Sequence, residues 1–168
     1  MADSKKNSFS AKRWAANILA LMAMLVAVHF WQTRDSASGV APDLEVLTLN
    51  QQLINLQQMD KPVLVYFWAT WCPICGFEEG TIQSLSKDYP VITVALQSGD
   101  DETLKNYLKA NDLNFTVIND DDGEISGQWG VRGVPASFII DVDNKISHRS
   151  VGYTTEIGLR LRLWLAEE

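Results

Sequence analysis

The chain has 168 residues and a mass of 18.8 kDa, with 46% hydrophobic and 21% charged residues, which excludes a disordered or collagen-like polymer and suits one domain with an extension. Its net charge of −7 is uneven: residues 1–35 carry five basic and two acidic side chains, and residues 36–168 carry nine basic and nineteen acidic ones. So acidic a body repels phosphate backbones and argues against nucleic acid as a partner, while two cysteines and two histidines make neither a disulfide scaffold nor a ready four-ligand zinc site.

Lys5, Lys6, Lys12 and Arg13 precede an apolar run over residues 14–31 that is interrupted only by Asn17 and His29. At about 1.5 Å rise per residue such a run reaches about 27 Å, close to the roughly 30 Å of a bilayer's hydrocarbon core. Trp14 and Trp31 bracket it, as suits the two membrane–water interfaces. The positive-inside rule therefore predicts a cytoplasmic segment 1–13, a single-pass anchor 14–32 and a body in an oxidising, extracytoplasmic space. A cleaved signal peptide is the alternative, with Ala37-Ser38-Gly39 as a mediocre cleavage site. Residues 33–42 are small and polar and read as a linker, leaving 43–168 as the folded domain.

Within that domain, 45–49 and 52–56 alternate around Asn50-Gln51 and predict a hairpin. Residues 63–69, VLVYFWA, form a continuous apolar run, the mark of a strand buried on both faces. A helix is expected from Cys72 to Lys87, a strand at 91–96, a helix at 101–110 with Asp100, Asp101 and Glu102 at its start, and a short strand at 115–118. Asn119 to Gly123 reads as an acidic turn, since a calcium loop would need a Glu at its twelfth position. Strands at 137–141 and 146–151 and a helix at 155–167 complete the chain. This alternation predicts an α/β fold, a mixed sheet covered by helices.

The chemistry lies in Trp71-Cys72-Pro73-Ile74-Cys75. Two thiols three positions apart at a helix start form a redox pair. The first meets unpaired N–H groups that favour its thiolate, and the second lies almost one turn deeper. Pro73 suits the first turn, where no hydrogen bond is lost. Cys72 is thus the expected attacking thiol and Cys75 the resolving one. Cu(I) binding by the same pair is the rival reading, with His148 the only histidine beyond the apolar run.

The run VYFWATWCPIC, with Gly133-Val134-Pro135 sixty residues further on, resembles the thioredoxin superfamily across residues 42–168. More narrowly it is similar to the membrane-anchored thioredoxin-like reductases of bacteria that serve cytochrome c maturation and copper tolerance. The resemblance implies a thioredoxin fold, a bacterial inner-membrane anchor with a periplasmic domain, protein disulfides as substrates and a membrane thiol–disulfide protein as electron donor. It implies no organic cofactor and no metal, only a redox-active Cys72–Cys75 disulfide. A general oxidative folding factor is the third reading. The resemblance makes Pro135 cis and packs it beside the cysteines, with Val134 offering backbone groups to the substrate; Trp71, Pro73 and Ile74, next to the thiols, are the other expected substrate-binding residues. The chain departs from the superfamily at Tyr66, where thioredoxins carry a buried Asp, and at Gly80, where many members have Pro. The anchored members often have an acidic residue three after the second Cys, and Glu78 stands there. Glu78 is three residues from Cys75, on its face of the helix, and is the expected base for that thiol.

Overall fold

In the computed structural model the described residues are 13–24, 26–27, 38–60 and 62–167. Two compact units divide the chain, residues 1–35 and 36–168. In the first, 13–24 and 26–27 are helical and exposed (α1). No helix among the described residues is long and apolar enough to cross a membrane. Of the predicted anchor 14–32, residues 25 and 28–32 lie outside the described residues, as do 1–12 of the cytoplasmic segment and 33–37 of the linker.

The second unit is built on a six-stranded sheet. Its strands are β1 Gly39–Val40, β4 Val63–Trp68, β5 Val91–Leu96, β6 Val117–Asp120, β7 Ala136–Ile140 and β8 Lys145–Val151, in spatial order β1-β8-β7-β4-β5-β6. The β4–β5 and β5–β6 pairs are parallel; β7 and β8 run antiparallel to their neighbours. A separate hairpin pairs β2 Glu45–Leu47 with β3 Leu53–Asn55, turning through Gln51 at φ 62°. The helices are α2 Pro73–Gly76, α3 Glu79–Leu85, α4 Asp101–Ala110, α5 Glu124–Gln128 and α6 Glu156–Leu165, with a 3-10 turn at Leu56–Gln58. This mixed sheet flanked by helices is the layout expected of a thioredoxin fold.

All six residues of β4 are buried, because alternate side chains feed two cores. Leu64, Tyr66 and Trp68 join Cys72, Cys75, Ile82, Leu104, Leu159 and Leu163 on one face. Val63, Val65 and Phe67 join Leu56, Trp129 and Phe138 on the other. Trp68 is core, its Nε1 donating to Thr93 Oγ1 at 3.1 Å. The longer helices are capped at their N-termini. Asp100 accepts the Thr103 N–H at 2.8 Å ahead of α4, and Thr155 accepts the Gly158 N–H at 3.2 Å in α6.

Four expectations need correction. The helix predicted from Cys72 to Lys87 is two pieces, broken at Phe77–Glu78. The strand expected at 115–118 sits at 117–120, because Phe115 turns into the core beside Trp68, ring centroids 5.9 Å apart, before pairing begins. Asp120 belongs to β6 rather than to an acidic turn. Its buried carboxylate accepts the N–H groups of Ile125 and Ser126 at 3.0 and 2.9 Å and so organises α5, which was not expected. Inside the segment read as linker, Gly39–Val40 pairs with β8.

The second core is tied by three rings. Trp129 is fully buried, with centroids 5.6 Å from Phe67 and 5.1 Å from Phe138. Trp129→Ala should cost about 3–5 kcal/mol in urea unfolding, whereas Val142→Ala, at an exposed site, should stay within about 0.5 kcal/mol.

Candidate active site

Strand β4 ends at Trp68, and the chain turns at once: the Cys72 N–H donates to the Ala69 carbonyl at 3.1 Å. Cys72 then caps α2 from an extended backbone, with Pro73 in the first turn, where a missing N–H costs nothing. Its Sγ accepts the Cys75 N–H at 3.2 Å. Cys72 and Cys75 form a disulfide with Cα atoms 5.3 Å apart. The two residues are unequally buried, Cys72 being 7% exposed and Cys75 1%. Both belong to the cysteine-side core, Cys75 the more deeply buried of the two.

Val134–Pro135 is cis, and the Val134 carbonyl oxygen lies 3.6 Å from Cys72 Sγ. Sixty residues of sequence separation thus close to contact, and the backbone before Pro135 forms one wall of the site. Trp71, Pro73 and Ile74 are exposed around the sulfur. Trp71 is nonetheless fixed, since its Nε1 donates to the Gln97 carbonyl at 3.0 Å and the neighbouring Thr70 N–H donates to Ser98 Oγ at 3.1 Å. Gln97 takes a left-handed φ of 43°, an uncommon conformation for a residue with a side chain.

Glu78 is more deeply placed than a helix carboxylate seen in sequence. It is 1% exposed. Its Oε2 accepts the Tyr66 hydroxyl at 2.9 Å and its Oε1 accepts the Thr154 N–H at 2.5 Å. Burial pushes its pKa above the usual glutamate value, and the two donated hydrogen bonds pull the other way without cancelling the rise. Tyr66 is raised well beyond an ordinary phenol by burial, then by the charge and hydrogen bond of Glu78.

The helix break is closed by short backbone bonds. The Glu78 N–H donates to the Cys75 carbonyl at 2.9 Å and the Phe77 N–H to the Ile74 carbonyl at 3.2 Å, bonds of the 3-10 type, in which side chains three apart eclipse. The break forms without the proline that the superfamily often carries, and a Cβ at Gly80 would meet nothing within 4 Å.

Sequence reasoning did not single out Phe77, Gln97, Ser98 or Thr154. Phe77 is 76% exposed next to the cysteines, and a bulky apolar residue between Gly76 and Glu78 was its only signal. Thr154 acts through its backbone N–H from 76 residues away, for which no local signal exists. Among the described residues no three His, Cys, Asp or Glu side chains cluster as metal ligands. His148 lies on β8 opposite Ile139.

A model of the AhpC/TSA family matches residues 38–149. A thioredoxin-like protein of Haemophilus influenzae is 37% identical over 122 residues, 71% of this chain and 72% of that protein. The thiol-disulfide oxidoreductase ResA of Bacillus cereus is 34% identical over 121 residues, 69% of this chain and 70% of its own length. Among solved structures, one described as a putative thiol:disulfide interchange protein DsbE from Chlorobium tepidum superposes with a TM-score of 0.68 at 25% identity, covering 78% of this chain and 98% of its own.

Unequal burial predicts unequal trapping. Cys75→Ser should hold a substrate covalently on Cys72, whereas Cys72→Ser should hold little, read as adducts on diagonal non-reducing gels. Equal adduct yields would reverse or void the assigned order.

Proposed function

We propose that this chain, which belongs to the AhpC/TSA family and is a thioredoxin-like thiol–disulfide oxidoreductase, works as a membrane-tethered reductase of protein disulfides. The observation that carries the chemistry is the Cys72–Cys75 disulfide, with Cys72 Sγ 3.6 Å from the carbonyl that precedes cis-Pro135 and Cys75 the more deeply buried in the core that also holds Tyr66. The tether rests on the basic cluster ahead of the apolar run 14–31, which would put the catalytic unit on the periplasmic side of a bacterial inner membrane. The length, the apolar run and FWATWCPIC are similar to the suppressor of copper sensitivity protein D, and copper tolerance or cytochrome c maturation is the proposed setting. The names of relatives such as ResA and the DsbE homologue of Paracoccus denitrificans accord with protein disulfides as substrates.

In the forward reaction the Cys72 thiolate attacks one sulfur of the substrate disulfide. That bond breaks, a Cys72–substrate disulfide forms, and the other substrate sulfur leaves as a thiolate. Cys75 loses its proton to Glu78 and attacks Cys72 Sγ. The Cys72–Cys75 disulfide forms, the second substrate sulfur departs and takes up a proton, and two electrons have passed to the substrate. Trp71, Pro73, Ile74 and Val134 flank the incoming chain, and Pro135 shapes the groove. A reduced membrane thiol–disulfide protein must then resupply the electrons, because the periplasm is kept oxidising.

The direction is tested by the reduction potential of the full chain in detergent, equilibrated with thiol redox buffers. A value near about −250 mV is expected, and one near about −120 mV would mark a strong oxidant and overturn the reductase reading.

The base is tested by pH. A carboxylate accepts a proton only when ionised, so resolution by Cys75 should quicken as pH rises through the elevated pKa of Glu78. Glu78→Gln should lack that rise and resolve about 10²-fold more slowly near pH 7, catching up at high pH where Cys75 ionises unaided. Equal resolution rates for both proteins in stopped-flow traces from pH 6 to 9 would remove Glu78 from the mechanism.

A further inference from the structure

We propose that Tyr66 is the positioning residue for Glu78, its hydroxyl holding the carboxylate in the ionised form that takes the proton from Cys75. The inference rests on the assignment of Glu78 as base and adds a residue whose sequence context, in place of a buried Asp, suggested no role.

Tyr66 is the middle of three β4 residues that enter the cysteine-side core, and it is 2% exposed. A hydroxyl there needs a partner, and the structure supplies Glu78 Oε2 at 2.9 Å. The other carboxylate oxygen takes the Thr154 N–H. These are the two hydrogen bonds described at a carboxylate almost sealed from water, one of them from a side chain. A donor bonds an ionised carboxylate more strongly than a protonated one, so each bond stabilises the form that works as a base. Removing the hydroxyl must raise the Glu78 pKa, because burial then acts against one donor fewer. Tyr66 can serve across the working range because its own proton is firmly held: burial and the adjacent carboxylate both disfavour the phenolate.

Other titratable groups lie on the packed elements, and the charge of Glu79 adds to the forces that hold the Tyr66 proton. Glu79 accepts the Tyr107 hydroxyl of α4 at 2.5 Å. Glu156 of α6 accepts from Ser84 and Arg160, each at 2.9 Å, Arg160 also reaches Asp88 at 2.8 Å, and Arg162 donates to Ser150 at 3.4 Å. The Glu78 N–H donates to the Cys75 carbonyl at 2.9 Å across the helix break. The step itself is the one already written: the proton leaves Cys75 Sγ for Glu78, the Cys75–Cys72 bond forms, and the Cys72–substrate bond breaks.

The test is single-turnover kinetics on the full-length reduced protein with a peptide whose cysteine is disulfide-bonded to thionitrobenzoate. Release of the coloured thiolate reports attack by Cys72, and acid-quench mass spectrometry of the Cys72–peptide adduct reports resolution. In Tyr66→Phe the pH profile of resolution should move alkaline by about one unit, making resolution about tenfold slower near pH 7. Tyr66→Phe in a Glu78→Gln background should add nothing, a result that a merely structural loss would not give. If Tyr66→Phe does not fold, 3,5-difluorotyrosine at position 66 keeps the shape and strengthens the donor, and the profile should move acidic instead. A Tyr66→Phe or fluorotyrosine profile that superimposes on wild type while Glu78→Gln stays slow overturns this inference alone. If Glu78→Gln matches wild type, the assignment of the base falls and the role of Tyr66 falls with it.

Discussion

Strand β4 has no wet face, so each polar atom on it must find its partner inside the protein. Two side chains on its cysteine side carry such atoms. Trp68 satisfies its indole N–H with Thr93 on the neighbouring strand. Tyr66 reaches the opposite way, to Glu78 at the break in the active-site helix. The requirement that buries the strand thus also draws a carboxylate into the core. A buried carboxylate with two donors is tolerable, and one without them would have to take up a proton or leave. The active-site end of the fold is therefore held by polar satisfaction as much as by apolar packing.

The same rule ties down the loops around the disulfide. Ser98 Oγ and the Gln97 carbonyl hold Thr70 and Trp71, while the Gln97 N–H is bound to the Asp120 carbonyl at 2.9 Å. On the other side the Gly152 N–H donates to the Pro135 carbonyl at 2.8 Å, and two residues later the Thr154 N–H meets Glu78. Gly152 takes a φ of 88°, which a residue with a Cβ adopts only under strain. The short segment between β8 and α6 therefore contacts both the cis-proline wall and the carboxylate behind Cys75.

Periodicity and caps were strong enough in sequence to place β4, β5, α4 and the hairpin. The continuous apolar run, the Asp100 cap and the alternation around Asn50 are local signals. The Cys72–Cys75 pair was legible in the spacing and the cis bond at Pro135 came from the family resemblance; the structure contains both the disulfide and the cis peptide. What stayed hidden was set by distant contacts. Helix α5, with Ser126 and Gly127 inside it, has poor intrinsic propensity and forms around the Asp120 carboxylate. The helix break at Phe77 has no proline to announce it. The Tyr66–Glu78 bond joins residues twelve apart on different elements, and the Thr154 bond uses an N–H that every residue but proline possesses.

The division of labour between the two sulfurs follows from where their charges can be borne. On Cys72 a negative charge meets the Cys75 N–H, which lowers the cost of a thiolate. On Cys75 the same charge would sit among Tyr66, Trp68, Ile82 and Leu159, where burial raises the cost. One thiol can therefore be ionised before the substrate arrives, and the other is best ionised only when its target is in place. A proton acceptor behind Cys75 meets that need only if its pKa lies near that of the solution, since a fully exposed glutamate is too weak a base and an unsupported buried one stays protonated. On Glu78 burial raises the pKa and the two hydrogen bonds oppose that rise on the same carboxylate. The tyrosine that stands where the superfamily has a buried Asp thus supplies one of the two hydrogen bonds to the carboxylate proposed as the base for Cys75.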